Sequence, residues 1–435
     1  MNRAFRSLGN RNFCLWSAGS VVSNTGTWFQ RIAQDWLVLT QLTDHSASAV
    51  GLVMALQAGP TILLLPYTGA ASDRMDRRRL LIATQACLAS LAVLLGVLTL
   101  LHVITLWGVY LIAFLFGCIT AFDAPARHTF VADLVGEGEI ANAVALNSAS
   151  FNAGRLVGPA IAGLVIASAG IGWAFLINGV SFLAVLCSLM FLRRREMHVQ
   201  ARARHEAMQL STGFRYIWHR SDLKTVLLMT FFVGTFGLNF PIFVSTMTAT
   251  VFQAGAGRYG MLMSIMALGS LAGALLVARQ SAPSILSLMG SAGIFGVGLF
   301  LASLCPSIWL FAAALAVVGG SAVAFSTATS SFMQMATDQP MRGRVASIRL
   351  AVGLGGTMIG GPTMGWLADQ FGPRMSMGVG ALSGFVAASV AIGYIAKYRS
   401  ERGVPGGRGS LFTLQPTDPV TLLENAKADG QASGK

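Results

Sequence analysis

The sequence predicts an all-α integral membrane protein with twelve transmembrane helices in two pseudo-symmetric six-helix bundles. Three observations carry that prediction. Apolar runs of bilayer-spanning length recur along the chain, basic residues collect on one side of them, and corresponding runs of the two halves share a glycine–proline break. Of 435 residues, 54% are hydrophobic and only 11% charged, against about 25% charged in an ordinary soluble domain.

A hydrocarbon core needs roughly 20 apolar residues per helix. Spans are predicted at 13–40, 48–71, 80–102, 104–123, 139–168, 170–192, 222–250, 257–278, 284–304, 307–331, 343–368 and 373–396. The first follows Arg3, Arg6 and Arg11 and reads on as a full span, not as a cleaved leader. Between the second and third, Gly69-Ala-Ala-Ser-Asp73-Arg74-Met-Asp76-Arg77-Arg78-Arg79 must be a polar turn, because charges are expensive in hydrocarbon. Of the 30 Lys and Arg, 25 fall on the side of this turn, Arg258 and Arg374 on the other, and Arg31, Arg155 and Arg349 within spans. That bias assigns the basic side, with both termini, to the cytoplasm. It also accounts for the net charge of +13, which suits anionic lipid headgroups rather than nucleic acid.

The sixth span ends at Arg193-Arg-Arg, and a charged linker leads to the seventh. The expected division is a bundle over 1–192, a cytoplasmic linker over 193–221, a second bundle over 222–396 and a disordered tail over 397–435. Within the linker, Phe214, Tyr216, Ile217 and Trp218 mark an amphipathic piece for the inner membrane surface. The halves echo each other in Gly154-Arg-Leu-Val-Gly158-Pro159-Ala-Ile-Ala162-Gly163 and Gly356-Thr-Met-Ile-Gly360-Gly361-Pro362-Thr-Met-Gly365, whose Gly–Pro pairs lie 203 positions apart. Equivalent halves with breaks in corresponding spans are what alternating-access transporters show.

These residues carry a resemblance. Gly69-x-x-x-Asp73-Arg74-x-x-Arg77-Arg78, between the second and third of twelve spans, resembles the signature loop of the major facilitator superfamily. The run from Gly154 to Gly163 is similar to the motif of its proton antiporters and exporters, departing at Ala162 where a second glycine is usual. Trp28-Phe-Gln-Arg31-Ile-Ala-Gln-Asp35-Trp36 and Asp123-Ala-Pro125-Ala-Arg127 resemble the bacterial exporter branch that contains the enterobactin exporter. The resemblance covers about residues 1–400 and implies the major facilitator fold. It further implies an inner gate of Gly69, Asp73, Arg74, Arg77, Arg78, Asp123 and Arg127. In that gate Asp73 faces the start of the eleventh span near Gly343 to Ser347, and an arginine pairs with the acid ending the fourth span, Asp123 here. Gly154, Gly158, Pro159, Gly163, Gly361 and Pro362 are then the helix-interface motif.

Inside the spans, Arg31 and Asp35 stand four apart on one helix face, with Gln34 and Asn24 extending the polar stripe. An ionisable group there faces a cavity or a partner, and an acid so placed can exchange a proton. The pair reads as a substrate or proton site, or as a structural or gating ion pair near the outer helix end. Arg155, one turn before Pro159, and Asn239, beside Pro241, are the other binding candidates. Arg349 lies near the inner end of its span, where it can snorkel. No metal-ligand spacing and no phosphate-cradling loop occur, and no convergent catalytic groups are found. The expectation is therefore a secondary transporter and not an enzyme. It would export a small amphipathic molecule, drug-like or siderophore-like, from a bacterial cytoplasmic (inner) membrane, with the proton gradient as energy source and no cofactor. Its expected partners are a small-molecule substrate and the bilayer, with no nucleic acid, and a monomer is expected. An importer of the same fold and a non-transporting membrane sensor or scaffold are the alternatives.

Overall fold

Apolar runs in a membrane satisfy their backbone only as helices, and short polar caps decide where each helix starts. Asn10, Ser46, Asp76, Thr105, Ser284 and Ser307 each accept a backbone N–H of the first turn that follows. The computed structural model describes residues 3–64, 67–68, 75–198, 210–279 and 283–402. Gly69, Asp73 and Arg74 lie outside the described residues, as does the chain beyond 402.

The twelve spans are α1 (Arg11–Thr40), α2 (Ala47–Leu63), α3 (Arg77–Leu100), α4 (Leu106–Asp133), α5 (Ile140–Ala169), α6 (Ile171–Phe191), α7 (Ser221–Val251), α8 (Ala256–Ala278), α9 (Ile285–Leu304), α10 (Ile308–Ala336), α11 (Arg342–Phe371) and α12 (Pro373–Arg402). No strand occurs among the described residues. The linker piece is a helix, Leu210–His219, which buries Ile217 and donates the Tyr216 hydroxyl to Asp338 at 2.9 Å. Most boundaries fall within a few residues of the predicted ones, and the largest difference is informative. α4 runs ten residues past the predicted stop at 123. Asp123 and Arg127 pair at 3.2 Å one turn apart, so the charges that interrupt the apolar run do not interrupt the helix. Beyond them, Phe130 and Val131 keep one face buried.

Each half packs by the same plan. α1 lies against α5 and α6, and α3 against α6. In the second half α7 lies against α11 and α12, and α9 against α12. The two largest contacts between halves are α5 with α8 and α2 with α11. Glycines make every one of these crossings close. Gly154 and Gly158 face Thr25 of α1, Gly163 faces Gly257 of α8, and Gly260 faces the Pro159 carbonyl. In the other half Gly356 and Gly360 face Thr235 of α7, Gly361 faces Gly51 of α2, and Gly365 faces Ala47.

This packing corrects the internal register. Gly154, Gly158 and Gly163 match Gly356, Gly360 and Gly365 at a spacing of 202, not the 203 of the Gly–Pro pairs. The turn glycines Gly170 (φ 97°) and Gly372 (φ 88°) share the spacing of 202, as do the starts of α5 and α11. Pro159 therefore corresponds to Gly361, and Pro362 sits one residue further on. Close backbone approach tolerates only glycine, whereas a proline can slip by one position without losing the contact.

Candidate functional site

The site starts on α1. Its exposed positions Cys14, Ala18, Val21 and Arg31, with half-exposed Thr25 and Trp28 between them, recur every three or four residues and so form one face. From Ile32 to Leu39 every residue is buried. A guanidinium does not end a lipid-facing stripe. The face therefore lines the space between the halves, reachable from the end that carries the termini and closed beyond Arg31.

Two contacts between halves seal the far end. The Tyr259 hydroxyl on α8 donates to Asp35 Oδ2 on α1 at 3.1 Å, and its ring stacks on Trp36 with centroids 5.7 Å apart. Asp369 on α11 takes over the start of α2, accepting from Ala47 N–H at 2.6 Å, Ser48 N–H at 3.0 Å and the Ser46 hydroxyl at 3.1 Å. A carboxylate on unpaired N–H groups at a helix start is favoured by both hydrogen bonding and the helix dipole. Neither Tyr259 nor Asp369 was identified from the sequence. The only signal was an acid in the last turn of one span and a tyrosine in the first turn of another, and neither position names its partner.

Arg31 and Asp35 share a helix face but do not form an ion pair. Among the described residues no carboxylate oxygen lies within 4.0 Å of the Arg31 guanidinium. Its Cζ instead sits 4.9 Å from the centre of the Trp28 ring, and Arg155 reaches the same ring from α5 at 5.6 Å. Gly158 makes that meeting possible, since a Cβ there would come within 2.8 Å of the Trp28 Cβ. Gln34 is buried and accepts from Gln57 Nε2 of α2 at 3.2 Å. Asn24 donates to Ser150 Oγ of α5 at 3.2 Å. Asn239 is buried at a break in α7 and donates to Thr235 O of its own helix at 2.7 Å, so its amide mends the backbone there. Arg349 is half-buried and has no carboxylate within 4.0 Å among the described residues.

The inner-end residues divide differently from the expectation. Arg77 pairs with Asp133, its Nη1 donating to both carboxylate oxygens at 2.7 and 2.9 Å, and not with Asp123. Because α4 is longer than the apolar run, Asp133 is the acid that ends it. Asp123 lies inside the helix, buried, accepting from Thr84 and Gln85 of α3 at 2.7 Å each and from Arg127. Arg127 also sits over Trp16 at 5.4 Å. Arg78 donates to Leu189 O of α6 at 2.7 Å. All these contacts lie within the first half, where they hold α3, α4 and α6 as one body.

Two six-helix halves, closed at one end around a polar site and accessible from the other, define a membrane transporter. Residues 3–402 match the family described as transmembrane secretion effector, and the chain belongs to this family of the major facilitator superfamily. It is a secondary transporter and a multi-pass membrane protein, not an enzyme. It is similar to the staphyloferrin A transporter of Staphylococcus aureus, 26% identical over 356 residues covering 80% of this chain and 87% of that protein. It is also similar to the enterobactin exporter EntS of Shigella flexneri, 25% identical over 343 residues covering 78% and 81%. In fold it resembles a bacterial homologue of the human lysosomal transporter Spinster in an inward-facing, unoccupied conformation. That likeness has a TM-score of 0.73 at 14% identity, covering 93% of this chain and 100% of the other. A bacterial homologue of the iron transporter ferroportin in an inward-facing state gives 0.68 at 16% identity, covering 88% and 98%.

Proposed function

We propose that this protein exports a small amphipathic molecule of the siderophore or drug type from the cytoplasm of a bacterium, in exchange for inward-moving protons. Both termini lie on the cytoplasmic side of the inner membrane, and no cofactor takes part. The observation that carries this reading is the Tyr259–Asp35 hydrogen bond, because it joins a carboxylate at the closed end of the site to the opposite half of the protein. The basic bias of the terminal side and the family's exporter relatives agree with it.

In this reading the described state is open to the cytoplasm. Cargo enters along the α1 face and reaches Trp28, Arg31 and Arg155. The halves then rock about the α2–α11 and α5–α8 glycine seams, which are smooth enough to pivot. Parting of the far end breaks the Tyr259–Asp35 bond and frees Asp369 from the start of α2. Asp35 then meets the outside solution and takes a proton on its carboxylate. With the carboxyl neutral, Tyr259 has a weaker acceptor and cargo leaves. The halves reclose with Asp35 still protonated; the proton then leaves to the cytoplasmic side, and the regained carboxylate again accepts from Tyr259.

The test is proton movement in proteoliposomes loaded with a pH-sensitive dye, driven by a panel of siderophore-like acids and lipophilic cations. Wild-type protein should couple cargo flux to opposite proton flux, and Asp35→Asn should retain cargo exchange while losing the coupling. Equal proton flux from the variant would remove Asp35 as the carrier. Cargo and protons moving in the same direction would make the protein an importer of the same fold.

A further inference from the structure

We propose that the space ending at Trp28, Arg31 and Arg155 is a binding site for small polyanions, molecules that present two or more carboxylates or equivalent oxyanions. The proposal rests on the transport reading above and adds to it the charge class of the cargo.

The argument begins with what the two cations lack. Arg31 and Arg155 come from different helices, and among the described residues neither has a carboxylate within 4.0 Å or a hydrogen-bond acceptor. Charged side chains within a membrane bundle normally pair with each other or with the backbone. The two guanidinium carbons lie 4.9 and 5.6 Å from one ring centre, so they are no more than 10.5 Å apart. Like charges at such a separation repel each other, and the low-dielectric helices around them screen that repulsion less than bulk water would. Each ring contact offsets only about 0.5–2 kcal/mol of this.

The neighbourhood is also short of acceptors. The indole N–H of Trp28 is buried with no partner, and each guanidinium offers about five N–H donors and no acceptor. The nearest acid on α1, Asp35, is engaged by Tyr259 and lies beyond the point where the accessible face stops. The site thus presents donors and positive charge from two directions, and among the described residues no acceptor is hydrogen-bonded to them. Arg31 is nonetheless exposed to the space between the halves, so a ligand can reach it. Paired planar guanidinium groups match carboxylates bidentately. A dianion would satisfy both cations at once, whereas a lipophilic cation would meet two positive charges, which is a built-in selection against that class.

The experiment measures binding and transport separately, on the full chain in lipid nanodiscs and in proteoliposomes. The probes are citrate, a tricarboxylate, and tetraphenylphosphonium, a lipophilic cation. Wild-type protein should bind citrate in preference to tetraphenylphosphonium. Arg31→Gln with Arg155→Gln should weaken citrate binding at least 100-fold and leave tetraphenylphosphonium unchanged or tighter. Arg31→Lys with Arg155→Lys should recover part of the loss, which a merely structural role would not produce. Thermal unfolding and gel filtration establish that the variants are folded. Citrate binding that is unchanged in the Gln pair overturns the proposal, as does wild-type protein that binds tetraphenylphosphonium better than citrate or binds no citrate. Citrate that binds at the arginines but is never translocated overturns the transport reading while leaving the anion site standing.

Discussion

α5 and α11 are the same helix built twice, and they do different work. Both start after a short turn, carry glycines at matching positions and end on a positive-φ glycine, all at a spacing of 202. Both use the first glycines against the leading helix of their own half and the later ones against the opposite half. The charges do not repeat. Arg155 corresponds to Thr357. By the contacts of Gly158 with Phe29 and of Gly360 with Asn239, Trp28 and Arg31 correspond to Leu238 and Pro241. The far-end latch is one-sided too. Asp369 caps α2, while its counterpart is Ala167 and α8 starts at Gly255 without a side-chain cap. Packing that closes two halves on each other has to be symmetric, because both must pivot. Recognition does not, and one half suffices to hold a ligand.

Four tests, built on six substitutions, probe how deep this asymmetry runs, in descending order of expected effect. A Cβ at Gly360 would collide with the Thr235 carbonyl, whereas one at Gly158 would meet Thr25 O at 2.8 Å. Gly360→Ala should cost about 3 kcal/mol or abolish folding, and Gly158→Ala about 1–2 kcal/mol, read by thermal unfolding in detergent. Equal losses would show the two seams to be equally tight. Arg77→Ala leaves Asp133, whose side chain is 3% exposed, without its partner, and should destabilise the first half by about 3 kcal/mol. Asp123→Asn should cost less, because Thr84 and Gln85 can still serve the amide oxygen; a reversed ranking would return the fourth-span pairing to Asp123.

Asp369→Asn removes a charged acceptor from three donors and should weaken the far-end closure by about 2 kcal/mol. The readout is faster labelling of a cysteine placed at Ser48 by a thiol reagent from the outside of intact cells. Labelling that does not change would mean that the glycine seams alone keep this end shut. Tyr259→Phe has the smallest expected effect, about 1 kcal/mol, since the Trp36 stack survives the loss of one hydrogen bond. It should raise the same labelling modestly and leave citrate binding unaltered, which separates the closed end from the anion site. A parallel loss of citrate binding would merge them.

What the sequence determined by itself was everything that follows from local composition. Twelve apolar runs, their caps and the one-sided basic residues settle the number of helices and leave little freedom in the membrane, where an unpaired backbone is too costly. The Gly-x-x-x-Gly pattern and its echo in the second half announced a repeated, close-packed helix. Arg31, Asp35 and Arg155 stood out because ionised groups are rare in such runs. Tertiary structure decided who meets whom. That Arg31 turns to Trp28 and not to Asp35, that Arg155 joins it, that Tyr259 reaches Asp35 across 224 positions and that Asp369 caps a helix of the other half are contacts between distant segments. Composition fixes the cost of burying a charge, but only the packing of two halves decides which partner is near enough to offset it.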